Sequence, residues 1–545
     1  MKAKKHTSVF MASVLTVLGS QLVVKLAGFV YRLVITNIEG FGDIGNGFYS
    51  AGFQLYTLLL SISSIGIPGA ISKLVAESVA VGDTARANHI FKTALWLFCG
   101  IGLLCFAGLF FGADFIALHI IRMDGVQATL RALAPSILFV CLSSVIRGFY
   151  LGFGTVSATS VSQMLEQIFK SILTVFFVLA LTAYSAEIMS AGANFATSVA
   201  TLLSLLYLLW FHLRHCDTAQ TNNVVPKSTR HSFWALSKTI LQLSIPISLT
   251  SVIISVGRVI DTATITRGIA IAFASHIPGQ AGIPTAAQLN EEAVRLSGML
   301  SKSDTLINLP LALNIAFATV LVPTISSAVA SHKPEEATDK ITLSLLISIL
   351  LALPCAAGMI VLAKPIYLLI YPNASSGYRL LQVSAISMIF VALNQTICGS
   401  LQGLGKVEVP VKALLCGVGL KVILNIFLIR MPQIHIYGAP ISSVVCYGVA
   451  CGICFVSLCR TLSIPLSIGK YIGKPLLCTG IMTAVTCISY SMCIKLLHSN
   501  LYAVLFTLGL SILVYAVLVL RAHIFTEQEI AQLPFGDKLQ RHFQK

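Results

Sequence analysis

Five basic side chains lie well inside apolar stretches of the sequence, where a charged group is expensive to bury: Lys25, Arg32, Lys170, Arg258 and Lys421. A sixth, Lys73, lies near the end of another apolar stretch. An unpaired charge at the centre of a membrane helix costs about 2.5 to 3.5 kcal/mol on insertion scales. We therefore expect each of these residues to face either a partner or a water-filled cavity. Such a cavity could bind an anionic group such as a diphosphate.

Carboxylates are fewer, and two of them lie one helical turn from a basic residue. Glu166 precedes Lys170 by four residues, which is the spacing of an ion pair on one helix. Asp261 follows Arg258 by three residues and could pair with it in the same way. Alternatively, Asp261 could face the cavity and bind a coupling cation or a proton. The basic residues predicted to bind an anionic headgroup are Lys25, Arg32, Lys73 and Arg258.

The elements that carry these residues are predicted to be membrane-spanning helices. Of the 545 residues, 56% are hydrophobic and only 10% are charged, whereas a soluble domain has about 25% charged residues. This composition excludes a soluble enzyme, a disordered protein and a disulfide-stapled secreted module. A span uses roughly 20 to 25 mostly apolar residues. The chain has runs of this kind near 9–36, 47–71, 92–112, 129–152, 158–183, 187–211, 239–265, 303–329, 341–363, 379–402, 407–429, 437–459, 472–496 and 501–521. We predict an all-α polytopic membrane protein with about 14 transmembrane helices.

The basic residues between the apolar runs predict the orientation of the chain. The formal net charge is +16, and with the amino terminus inside, about 22 basic residues fall on the inner side and about 9 on the outer side. The first outer loop contains Glu39 and Asp43 and no basic residue. We predict a multi-pass protein of the cell membrane with both termini in the cytoplasm.

Two glycine clusters indicate an internal repeat. Spans four and ten align without a gap at Gly148, Gly152 and Gly154 and at Gly399, Gly403 and Gly405. The same register places Lys170 on Lys421. Glycines at this spacing could simply let helices pack closely or end a helix. Two copies in register instead favour two six-helix lobes that move about these glycines, as in an alternating-access transporter.

The repeat predicts a division of the chain. The predicted parts are an amino-terminal lobe 1–214 with spans one to six, a cytoplasmic linker 215–235, a carboxy-terminal lobe 236–461 with spans seven to twelve, spans thirteen and fourteen in 462–522, and a cytoplasmic tail 523–545.

Several stretches resemble the oligosaccharidyl-lipid flippases of the MATE-like (MOP) superfamily. They are KLAGFVYR at 25–32, GDIGNGFY at 42–49, LSISSIGIPGAISKLV at 60–75, TLINLPLAL at 305–313 and VPTISS at 322–327. Within that superfamily the chain is similar to the branch with the stage V sporulation protein B group and the MurJ-type lipid II flippases. The likeness is specific at spans one, two and eight and only compositional in spans thirteen and fourteen.

The resemblance implies a fourteen-helix fold whose last two helices form a groove for a lipid tail. It also implies that a lipid-linked cell-wall precursor is turned from the inner to the outer leaflet. The family's basic cavity residues carry over to Lys25 and Lys73. Position 25 is Lys where MurJ-type proteins often have Arg. Span eight has no Arg deep in its apolar run, and Arg258 on span seven could supply that positive charge instead.

The function predicted in this way is a flippase for an anionic polyprenyl-diphosphate-linked precursor. Lipid II is the favoured substrate of this class. Its partners would be the bilayer, the lipid-linked glycan and the cell-wall synthesis machinery, with no nucleic acid. No catalytic residue, metal site or cofactor is predicted, and coupling to Na⁺, H⁺ or the membrane potential stays open.

Four alternatives remain. A flippase for another lipid-linked oligosaccharide, of sporulation or a surface polysaccharide, fits the same residues. A cation-coupled drug exporter would need an acidic cavity. A membrane-embedded glycosyltransferase or lipid phosphatase would need a catalytic spacing that Glu291 and Glu292 in the longest outer loop do not provide. A non-transporting scaffold would leave the buried charges without a role.

Overall fold

The computed structural model describes residues 23–61, 63, 66–215, 232–278, 282–330, 334–462 and 469–525. Within helices α8 and α9, defined below, the side chains of residues 246–247, 250, 316–324 and 326–330 are not described. Most of the predicted linker 215–235 and of the predicted tail 523–545 lies outside the described residues.

The described residues form helices joined by short turns and contain no strand. The main helices are α1 (23–36), α2 (Gly42–Ser61), α3 (Ile67–Ala80), α4 (Thr84–Phe111), α5 (Val126–Gly152), α6 (Val156–Ala180), α7 (Ala186–His215), α8 (Phe233–Ala272), α9 (Ala286–Ala330), α10 (Pro334–Val361), α11 (Ala363–Ile370), α12 (Tyr378–Gly403), α13 (Glu408–Leu428), α14 (Gly438–Leu462), α15 (Lys474–Leu497) and α16 (Asn500–Arg521).

Each predicted span coincides with a helix, which confirms the all-α membrane fold. Ten helical segments of the described chain are long and apolar enough to cross a membrane, and they coincide with predicted spans three to six and nine to fourteen. Predicted spans one, seven and eight correspond to α1, α8 and α9. The predicted second span corresponds to the end of α2 and the start of α3, and residues 62, 64 and 65 between them lie outside the described residues. Spans one and seven carry Lys25, Arg32, Arg258 and Asp261.

The described chain divides into two compact units. The first contains the helices up to Thr305 together with Val418–Ala439, and the second contains Leu306–Gly417 and the residues from Pro440 onward. One boundary therefore falls within α9, after Thr305. The other two lie within α13, before Val418, and near the start of α14, after Ala439. This division differs from the predicted lobes 1–214 and 236–461, and the assignment of six helices to each lobe stays a prediction.

In the first unit, helices α3 and α5 approach each other closely at two of the predicted hinge glycines. A Cβ atom added at Gly148 would lie 2.8 Å from the Cα atom of Pro68, and one at Gly152 would lie 2.6 Å from the Cβ atom of Val75. Contacts below 3.0 Å leave no room for a methyl group without movement of a helix. Close helix packing therefore explains these two glycines, and their role as hinges stays a prediction.

The turns that follow the two glycine clusters have the same backbone conformation. Gly154 has a φ of +78° and Gly405 a φ of +79°, both in the left-handed region where only glycine is free of strain. The amide of Thr155 donates to the carbonyl of Tyr150 at 2.9 Å, and the amide of Lys406 donates to the carbonyl of Leu401 at 2.8 Å. The ends of α5 and α12 are thus built alike, as an internal repeat requires.

Candidate functional site

Arg32 of α1 is held in place by side chains of two other helices. Its Nη2 atom donates hydrogen bonds to the Oγ atom of Ser301 at 2.5 Å and to the Oγ1 atom of Thr305 at 3.3 Å, both on α9. Its guanidinium carbon lies 4.7 Å from the centre of the Tyr49 ring on α2. The contact with a ring face is favourable for a cation, and none of the ion pairs among the described residues includes Arg32.

Lys25 and Arg258 are brought together from helices α1 and α8. The two cations are close enough to repel each other electrostatically. Both side chains are exposed at the surface of the protein, although protein atoms surround Lys25 on most sides. Neither forms an ion pair with any residue that the structure describes. Two exposed, mutually repelling cations attract an anion electrostatically.

Asp261 does not pair with Arg258, so that prediction is wrong. Its Oδ2 atom instead accepts a hydrogen bond from the Nζ atom of Lys421 on α13 at 2.5 Å. Its Oδ1 atom accepts one from the Nδ2 atom of Asn425 at 2.8 Å. The spacing on α8 allowed the local pair, but the ammonium of Lys421 is buried, and a buried charge is stabilised more by a carboxylate partner than the exposed Arg258 is.

A second carboxylate, Asp304 of α9, lies among the same charges. It is within electrostatic range of four of them: Arg258, Lys421, Asp261 and Arg32. With Lys25 the cluster holds four cations and two carboxylates, so its net charge is +2 when all six groups are ionised. A cluster with this net charge attracts an anion and repels a cation.

Glu166 does not pair with Lys170, so that prediction is wrong as well. The Glu166 Oε2 atom lies 2.7 Å from the Nη2 atom of Arg147, which also donates to Ser204 at 2.9 Å. The Nε atom of Arg147 donates to Ser162 at 2.9 Å. Arg147 is buried and links α5, α6 and α7, and the planar guanidinium can satisfy all three partners at once.

Lys170 is buried against aromatic rings. Its Nζ atom lies 4.1 Å from the centre of the Phe53 ring and 5.9 Å from that of Tyr31. The Tyr31 hydroxyl in turn lies 2.9 Å from that of Tyr49. Lys170 and Lys421 therefore occupy equivalent positions of the repeat with different partners, aromatic rings in one case and a carboxylate in the other.

The remaining predicted site residue, Lys73, is exposed on α3. None of the described contacts joins it to Lys25, Arg32 or Arg258, so its part in substrate binding stays a prediction.

Two basic residues of the interior were missed by the sequence analysis, Arg147, described above, and Lys302. Lys302 of α9 is fully buried and forms an ion pair with Asp43, which had been assigned to an outer loop. Lys302 lies at the edge of a predicted span, where a basic residue is usually assumed to reach water. The polar sequence around it, SKSD at 301–304, gave no signal that could distinguish a buried partner from an exposed one.

The arrangement of helices and charges can be compared with that of known proteins. The family model described as "Polysaccharide biosynthesis protein" matches residues 10–329. The chain belongs to this family. A second model, MatE, matches residues 298–427. The family assignment confirms the resemblance to the MOP superfamily, whose members are transporters. The protein is therefore a multi-pass membrane transporter and not an enzyme.

Three relatives from Bacillus subtilis (strain 168) match most of the chain. "Uncharacterized membrane protein YabM" is 26% identical over 96% of this chain and 94% of its own length. "Lipid II flippase MurJ" is 25% identical over 75% of each chain. "Stage V sporulation protein B" is 24% identical over 85% of this chain and 86% of its own length.

A solved structure shows the same fold. The structure titled "Lipid II flippase MurJ, inward closed conformation" superposes with a TM-score of 0.66 over 92% of this chain and 96% of that one, at 13% identity. At this identity the similarity establishes the architecture alone.

Proposed function

We propose that the protein is a flippase that turns an anionic polyprenyl-diphosphate-linked cell-wall precursor, lipid II in the first instance, from the inner to the outer leaflet. The observation that supports this most directly is the pair Lys25 and Arg258, two exposed cations that repel each other and form no ion pair among the described residues. The relatives named above include a lipid II flippase.

The diphosphate headgroup would bind as an anion to this cluster of positive charge. A diphosphate can accept hydrogen bonds from Lys25 and Arg258 together, which removes their mutual repulsion. Arg32 lies in the same cluster and is already oriented by Ser301 and Thr305, so that little side-chain entropy would be lost when it contributes to binding. Neutralisation of the cluster would favour the conformational change that carries the headgroup across.

The membrane potential would assist this movement. Outward transfer of one negative charge across a potential that is negative inside gains about 2.3 kcal/mol per 100 mV. A doubly charged headgroup would therefore be driven outward without a further energy source, while the polyprenyl tail remains in the lipid. Rocking about the turns at Gly154 and Gly405 is the motion that the repeat suggests.

A second candidate is a flippase for a different lipid-linked oligosaccharide. The observation that favours it is Lys25 itself, because an ammonium binds phosphate as a point charge and lacks the bidentate geometry of a guanidinium. A site with one fewer guanidinium would select less strictly among diphosphate-linked glycans.

The experiment that tests both candidates is a sidedness assay in cells depleted of the protein. An enzyme added from outside, which cleaves only an exposed lipid II headgroup, reports the fraction of lipid II in the outer leaflet. We expect this fraction to fall while total lipid II rises, and to recover when the wild-type protein is restored. Full cleavage of lipid II in depleted cells would contradict lipid II as the substrate. Accumulation of another lipid-linked glycan would then identify the second candidate.

The role of the cation pair is tested in the same cells by complementation. Lys25→Gln and Arg258→Gln should each fail to restore the exposed fraction at normal expression. Lys495→Gln removes an exposed lysine of α15 far from the cluster in sequence and should restore it fully. Normal flipping by both cluster variants would contradict the assignment of the site.

A further inference from the structure

The carboxylate of Asp261 on α8 is neutralised by a cation that belongs to the protein itself. The Lys421 Nζ atom donates to one carboxylate oxygen at 2.5 Å, and the amide of Asn425 donates to the other at 2.8 Å. Asn425 also donates to the Oγ1 atom of Thr264 at 3.2 Å. Lys421 and Asn425 are one turn apart on α13 and are both buried, so this contact is built into the packing of α8 and α13.

The oxygen atoms gathered here are those that a free alkali cation would use. The Asp261 carboxylate and the Thr264 hydroxyl are hard oxygen ligands, which suit cations such as Na⁺. The Asn425 amide nitrogen faces both of them here, and the amide can turn over to present its carbonyl oxygen to a cation. The ammonium of Lys421 carries the same single charge as Na⁺ and donates to the carboxylate oxygen that would be the strongest ligand. Removal of one partner from a buried ion pair of this kind strongly destabilises a protein, because the other charge is then buried and unpaired.

We propose that Lys421 acts as a tethered cation that occupies the place of a coupling ion at Asp261, so that this site takes up no Na⁺. When Lys421 is removed, the carboxylate, the Asn425 amide and the Thr264 hydroxyl become a binding site for a free monovalent cation. This inference goes beyond the proposed function, since it does not depend on which lipid the protein moves.

The internal repeat supplies a matched control. Lys170 has the same register in the first half of the chain and is buried to the same degree, 8% exposed in each case. Its described contacts are with the rings of Phe53 and Tyr31, while the nearby carboxylate of Glu166 is bound by Arg147. Removal of Lys170 therefore leaves no unneutralised carboxylate and should create no cation site.

The experiment is a comparison of thermal unfolding of the purified full-length protein in NaCl and in choline chloride at equal ionic strength and pH 8. The melting temperature of the wild type should be the same in both salts. Lys421→Ala should melt lower in choline and regain about 3 °C or more in Na⁺ with a saturable concentration dependence. The double variant Lys421→Ala with Asp261→Asn should lose the response, and Lys170→Ala should show none.

Two outcomes would overturn the proposal. One is a wild-type protein that is stabilised by Na⁺, or binds ²²Na⁺, in a manner abolished by Asp261→Asn. The other is a folded Lys421→Ala protein with no Na⁺ response. If Lys421→Ala cannot be purified, Lys421→Gln takes its place, because the glutamine amide preserves a donor to Asp261 while the charge is removed. The ²²Na⁺ measurement on the wild type remains decisive in either case.

Discussion

Lys302 and Asp43 form a buried ion pair that fastens helix α9 to the amino-terminal end of helix α2. The lysine side chain has no exposed surface, and 11% of the aspartate side chain is exposed. The backbones also meet here, because a Cβ atom added at Gly298 would overlap the carbonyl of Asp43. In the predicted topology this contact lies at the outer ends of spans two and eight.

The first prediction concerns this ion pair. Lys302→Met should destabilise the protein by about 3 to 5 kcal/mol, because the Asp43 carboxylate is left buried without its cation. The double variant with Asp43→Asn should recover part of the loss, since no unpaired charge then remains. Melting temperatures of the purified variants measure both effects.

The control for this pair is the exposed ion pair between Lys412 and Glu408. Lys412→Met should leave the melting temperature nearly unchanged, since water screens an exposed pair. If Lys412→Met lowered the melting temperature as much as Lys302→Met, burial would not be the reason that the Lys302–Asp43 pair stabilises the protein.

The second prediction separates Arg147 from Lys170 as the partner of Glu166. Arg147→Met should lower the stability by several kcal/mol, because Glu166, Ser162 and Ser204 lose a shared donor in the interior. Lys170→Met should be milder, since the methionine can still pack on Phe53. Chemical or thermal unfolding of the two variants in detergent checks the order, and a larger loss for Lys170→Met would favour the local pair instead.

The third prediction concerns the cation pair of the candidate site. Lys25→Arg should retain transport, because it keeps the charge and adds a bidentate donor, whereas Lys25→Gln should reduce the transport rate by about tenfold or more. The measurement is the initial rate of lipid II exposure in cells with matched amounts of each variant. A Lys25→Arg protein as inactive as Lys25→Gln would show that size rather than charge matters at this position.

The fourth prediction concerns the approach of α3 to α5. Gly148→Ala should cost about 1 to 3 kcal/mol, because the added methyl group would meet the backbone of Pro68. Gly100→Ala on α4 has open space around the new methyl group and should be neutral or slightly stabilising, since alanine favours a helix. The comparison of melting temperatures tests whether close packing fixes the residue type at Gly148.

The sequence by itself determined the class of the protein and the positions of its helices. Apolar runs of about 20 residues have few structural solutions in a membrane, because every backbone amide must be bonded within its own segment. The same reasoning located Lys170 and Lys421 among the buried basic residues but missed Arg147 and Lys302. The sequence also indicated that the helices end near Gly154 and Gly405, because a left-handed backbone conformation strongly favours glycine.

Only the tertiary structure decided which charges meet. The local spacing proposed Glu166 with Lys170 and Arg258 with Asp261, yet both carboxylates bind residues of other helices, Arg147 and Lys421. A pair on one helix contributes only a few tenths of a kcal/mol, while an unpaired buried charge costs several. Long-range packing therefore outweighs local spacing, and it brings the cations Lys25 and Arg258 near each other from helices far apart in the sequence.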